Sequence, residues 1–128
     1  MPFIARARDF VDNAAPNHRA HPRFNAMRDT VQYLLDHAIG RQNAVPTDDI
    51  ITHLQGRNHN MSRETWQIEV LGYLRDNEIF IGSTGSRGMF LIQDEADARE
   101  VRDFIQNRIN RETQRLGTLQ RLIEEAGW

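Results

Sequence analysis

Four features of this chain invite a chemical reading. His18 and His21 are three residues apart, a spacing that could place two imidazoles on one metal ion. Asp48 and Asp49 form a carboxylate pair of the kind used in general acid–base catalysis. The run Gly82-Ser83-Thr84-Gly85-Ser86-Arg87-Gly88 has the glycines of a phosphate cradle. All 16 basic residues are arginines, whose planar forks clamp phosphates or carboxylates.

Most of this chemistry lacks a partner. No third ligand is arranged near His18 and His21, so no metal site is expected. Asp48 and Asp49 stand where a helix start favours acids, which accounts for them without catalysis. The glycine run lies between two β-prone runs, whereas a phosphate loop leads from a strand into a helix. With no cysteine, the chain has no disulfide, thiolate nucleophile or Cys-ligated zinc, and with no lysine it has no Schiff base or Walker A lysine. No Ser, His and Asp grouping is positioned by a motif. The expectation is a protein that is not an enzyme and carries no cofactor.

The elements that must position these side chains follow from hydrophobic spacing. At 128 residues, 39% hydrophobic and 27% charged, the chain suits one domain with a protruding element. Phe3, Ala7, Phe10 and Val11 predict a short helix from Pro2 to Ala14, followed by an exposed linker from Ala15 to Arg23 that is rich in Pro, His and Arg. Phe24, Met27, Val31, Leu34, Leu35 and Ala38 predict a core-facing helix ending at Gly40. Thr47 reads as the N-cap of a two-turn helix carrying Ile50, Ile51 and Leu54, and Gly56 to Asn60 as a polar turn. Ser62 reads as the next N-cap, with Met61 and Trp66 as a hydrophobic staple. That third helix, running to about Asn77, would bury Trp66, Val70, Leu71 and Leu74 and turn Arg63, Glu64, Gln67 and Arg75 outward. Ile79 to Gly82 and Met89 to Ile92 predict a β-hairpin with a mobile tip, in which Phe90 is a core residue. Asp94 caps a long last helix that carries Ala98, Val101, Ile105, Ile109, Leu116, Leu119 and Ile123 to about Glu125. The fold class expected is mainly α with a small β-hairpin.

Helix, short helix, polar turn, third helix and Gly-rich hairpin come in the order of a winged helix-turn-helix domain. Leu74-Arg75, Ile81-Gly82-Ser83 and Gly88-Met89-Phe90-Leu91-Ile92 resemble the end of the recognition helix and the wing of prokaryotic and phage winged-helix proteins. The resemblance covers residues 23–92, with residues 1–22 as an N-terminal helix and linker and residues 93–128 as the long C-terminal helix. It implies that the third helix enters a major groove of double-stranded DNA while the wing touches backbone or minor groove. By position, Ser62, Arg63, Thr65 and Gln67 would face DNA. Arg63 would fork onto guanine or phosphate, and Gln67 would pair with adenine. Arg87 at the wing tip would reach a minor groove or phosphate, and Arg57, Asn58, His59 and Asn60 would donate to phosphates beside the helix start.

The implied function is sequence-specific binding of double-stranded DNA by a transcription regulator of prokaryotic or phage type. Charge points to an alternative: residues 1–92 hold ten Arg and ten Asp or Glu, and Glu64 and Glu69 lie on or near the third helix. A neutral module suits a non-catalytic protein-interaction role, as an accessory subunit of a DNA-processing or defence complex. The two readings divide on local electrostatics. Arg57, Arg63 and Arg87 sharing a face clear of acids would favour DNA, and acids interleaved with them would favour a protein partner. The last helix is expected to pair with its copy in a homodimer, through a seam interrupted by the polar stretch from Asn110 to Arg115. No apolar run is long enough to span a membrane, and MPFIARARDF is too short and too broken by Arg for a signal peptide, so the cytoplasm is expected.

Overall fold

The computed structural model describes residues 2–128, so Met1, the first residue of the expected N-terminal segment, lies outside it. The fold is mainly α with one small β-hairpin: α1 (Pro2–Asn13), α2 (Pro16–Arg19), α3 (Phe24–His37), α4 (Thr47–Gly56), α5 (Arg63–Thr65), α6 (Gly72–Asp76), β1 (Ile81–Ser83), β2 (Met89–Leu91) and α7 (Glu95–Ala126). A π-type turn over Trp66–Leu71 joins α5 to α6, so the two form one continuous rod.

The core forms where the helical stripes meet. Met27, Val31 and Leu34 of α3 close on Ile50 and Leu54 of α4, on Trp66, Val70 and Leu74 of the α5–α6 rod, and on Ile81, Phe90 and Leu91 of the hairpin, all of them buried. The largest of these side chains also needs a polar partner. Trp66 Nε1 donates to Thr30 Oγ1 at 3.3 Å, and Thr30 in turn donates to the carbonyl of Ala26 at 2.8 Å.

The hairpin pairs antiparallel, with Ile81 opposite Leu91 and Ser83 opposite Met89. The chain between α3 and α4 seals its other edge. Gly40 N–H donates to the Leu91 carbonyl at 2.8 Å, and Val45 exchanges both backbone bonds with Met89 at 2.9 and 2.7 Å. Gly88 makes that closure possible. Its φ is +89°, and a Cβ there would lie 2.4 Å from the Val45 carbonyl oxygen.

Three local expectations are corrected. Thr47 is not the N-cap of α4; Pro46 holds that place, and Thr47 is buried inside the first turn with no capping bond from a side chain. The segment from Ala15 to Arg23 is exposed for most of its length, as expected, but it is not an element-free linker, because it turns once as α2 and is held against the α5–α6 rod by aromatic contacts. His18 Nδ1 and the Tyr73 hydroxyl are hydrogen-bonded at 2.7 Å, and the His21 ring lies 4.6 Å from that of Tyr73. Ala7 and Phe10 of α1 are accordingly buried in the same core as the rest. Arg75 does not point outward: its Nε donates to the Ile81 carbonyl at 2.9 Å and its guanidinium lies over the Phe80 ring. Burial, and secondarily the charge of Arg108, lowers the Arg75 pKa.

The start of α7 is clamped to the body. Asp94 caps it by accepting from Asp97 N–H at 2.8 Å. The buried Asp97 accepts from the Arg41 guanidinium at 3.0 Å and from Gln93 N–H at 2.9 Å. Val101 is the last fully buried side chain of the helix, and every residue from Ile105 onward is exposed.

Candidate functional site

The nine residues expected to face DNA separate into two places. At the first, Arg63 and Gln67 of the rod, Arg87 of the hairpin tip and the start of α4 line one concavity of about 340 Å³, with Asp48 in its wall. Ser62 holds the rod's first turn by accepting from Thr65 N–H at 3.1 Å. Its own hydroxyl donates to Thr65 Oγ1 at 3.0 Å, so the two side chains engage each other. The cap expected at Ser62 is therefore present, and it aims the rod's first turn at the concavity.

The second place is the turn before the rod. Arg57 closes α4, and Asn58 follows in the left-handed region with φ +66°. This bend turns the chain back toward α3. There the Arg57 Nε lies 2.9 Å from Asp29 Oδ2, and His59 Nε2 donates to the same oxygen at 2.7 Å. Burial alone would raise the Asp29 carboxyl, but hydrogen bonds from Arg57 and His59, with their charges, hold it below the usual carboxylate range. Asn60 is exposed. Neither Arg57 nor His59 lines the concavity that holds Arg63 and Arg87.

Each of the three arginines has an acid of its own. Arg57 pairs with Asp29, Arg63 Nη1 lies 3.6 Å from Asp48 Oδ1, and Arg87 forks onto Glu100 of α7 with Nη2 donating to Oε1 at 3.1 Å. The outward face of the rod carries Arg63 against Glu64 and Glu69, and Glu69 is itself bound by Arg23 at 3.1 Å. Amid these charges Ile68 is 66% exposed. Sequence reasoning passed over Ile68, although its place between Trp66 and Val70 puts it off the buried stripe. It also missed Asp29 and Glu100 as partners, since nothing local links them to Arg57 and Arg87.

The other chemical candidates resolve into structure. His18 and His21 pack on Tyr73, and no group of three or more His, Asp or Glu suited to a metal ion occurs among the described residues. Asp48 and Asp49 occupy the first turn of α4, as a helix dipole favours. No described helix is long and apolar enough to cross a membrane. The chain matches no family model, no curated protein and no solved structure.

Proposed function

We propose that the chain is a non-catalytic winged helix-turn-helix module of the cytoplasm whose main partner is a protein, serving as an accessory subunit of a DNA-processing or defence complex. The observation that carries this reading is the interleaving of acids with cations, in which Asp29, Asp48 and Glu100 each engage one of Arg57, Arg63 and Arg87. A surface built to hold DNA spends its arginines on phosphates, and affinity rises with the number neutralised. Here the face of the rod sets Glu64 and Glu69 beside Arg63, with Glu69 paired to Arg23, and presents Ile68 in their midst, a mixture closer to a protein-binding patch than to a groove reader. The order of helices, the edge sealed at Val45 and the Gly-rich hairpin support the winged-helix assignment.

Fluorescence anisotropy with a mixed-sequence duplex tests the proposal. Little binding at low salt, with a shallow salt slope, is the expected result. Binding that falls steeply with salt and disappears in the Arg63→Ala, Arg87→Ala double variant would overturn it.

One observation favours a second reading, a DNA-binding regulator: Arg63, Gln67 and Arg87 do share a concavity. An exposed pair such as Arg63 with Asp48 is worth only about 0–1 kcal/mol, so a phosphate could displace the acid. The steep, variant-sensitive outcome of the same titration is what this reading requires.

A further inference from the structure

From Ile105 onward α7 leaves the body as a free rod, and it carries a stripe of aliphatic side chains that no described residue covers. Ile105, Ile109, Leu116, Leu119 and Ile123 are between 37% and 55% exposed. With Glu112 they advance by alternating steps of four and three residues, the 3.5-residue period of a coiled-coil seam. Of the polar stretch from Asn110 to Arg115, only Glu112 stands on that seam, so the register runs through unbroken. Val101, one turn before Ile105 and off this register, packs instead over Gly82 of the hairpin. Most helical stability in proteins comes from packing of an apolar face, and Gly117 weakens this helix by about 1 kcal/mol relative to alanine, so a partner along the seam would stabilise it.

We infer that this seam binds the same seam of a second copy, running antiparallel, with Ile105 opposite the partner's Ile123 and Ile109 opposite the partner's Leu119. The choice of occupant rests on self-complementarity. In this register each aliphatic side chain meets an aliphatic one except at the centre, where Glu112 lies opposite the partner's Leu116. There the charge is answered. The partner's Arg115 comes level with Glu112, and the two residue types already bond within one chain, Arg115 Nη1 to Glu112 Oε1 at 2.5 Å. A parallel pair would stack Glu112 on its own copy in one buried layer, whereas the antiparallel pair separates the two carboxylates by four residues, about 6 Å along the axis. The seam needs nothing from the surface of the rod formed by α5 and α6, so it stands whichever macromolecule that surface binds.

The absence of cysteine makes the test direct. Full-length Ile109→Cys and Leu119→Cys proteins are oxidised separately and as a mixture, beside sedimentation equilibrium of the native chain. The expected results are a dimer in sedimentation and a disulfide-linked heterodimer in the mixture. That product should exceed the self-linked product of either protein by about tenfold, the margin of a preferred orientation of modest energy. Leu116→Asp with Leu119→Asp should yield a monomer whose head melts at the native temperature, since both side chains are already exposed. Efficient self-linking of Ile109→Cys would overturn the antiparallel order, and a native chain that remains monomeric up to millimolar concentration would overturn the seam altogether.

Discussion

Arg87 and Glu100 tie the hairpin tip to the long helix: Nη2 donates to Oε1 at 3.1 Å while Nε lies 2.9 Å from Oε2. The residue best placed to extend the hairpin toward a nucleic acid is instead folded back on its own chain. Releasing it is therefore informative. Glu100→Gln combined with Asp48→Asn frees Arg87 and Arg63 together, and under the proposed function should give a weak, salt-sensitive binder of duplex DNA where the native chain shows little binding. Two phosphates neutralised correspond to a slope of about −1.8 in log K against log salt. Absent binding in this variant would show that the ion pairs are not what keeps DNA away.

Asp97 has a different role, since it is buried and accepts from both Arg41 and Gln93 N–H. Asp97→Ala leaves a half-buried guanidinium and a backbone donor without their acceptor. The expected loss is about 2–4 kcal/mol in urea unfolding. A loss under about 0.5 kcal/mol, the range of ordinary surface changes, would mean that the clamp does not hold α7 to the body.

Asp29 supplies a pH dependence whose sign follows from its lowered pKa. Because the folded value lies below the unfolded one, the carboxylate's contribution is complete at neutral pH and is lost as pH falls through the folded value. Asp29→Asn should thus be less stable than the native chain at pH 7, by about 1–3 kcal/mol, with the gap narrowing below about pH 4. Thermal melts of both proteins from neutral to acid pH check this, and a gap that widens on acidification would contradict the assignment.

Gly88→Ala places a methyl group against the Val45 carbonyl at a left-handed backbone position. A cost above about 1 kcal/mol is expected, concentrated in the hairpin edge. Faster amide exchange at Met89 and Val45, with protection retained at Leu34 and Leu54, would locate it there.

What was legible in the sequence was local. The stripe from Phe24 to Ala38, the caps at Ser62 and Asp94 and the two β-prone runs each follow from residues within a few positions of one another, and each is present. The Thr47 cap failed because Pro46 already supplies the extended residue before the helix, which leaves Thr47 one position inside it. The candidate site was legible as a set of donors but not as an arrangement. Asp29, Asp48 and Glu100 lie far along the chain from the arginines they engage, and only the packing of α3, α4 and α7 brings them together. Composition read residues 15–23 as exposed, which most of them are, but not the contacts of His18 and His21, which become visible only once Tyr73 lies beside them.

The free length of α7 also governs how the molecule moves through water. From Ile105 to its end at Ala126 it extends about 33 Å, whereas a compact chain of 128 residues has a radius of gyration of only about 14 Å. A rod of that reach on so small a head raises hydrodynamic drag well beyond that of a sphere of equal mass. Even a lone copy will therefore elute from a sizing column ahead of globular standards of 14.9 kDa.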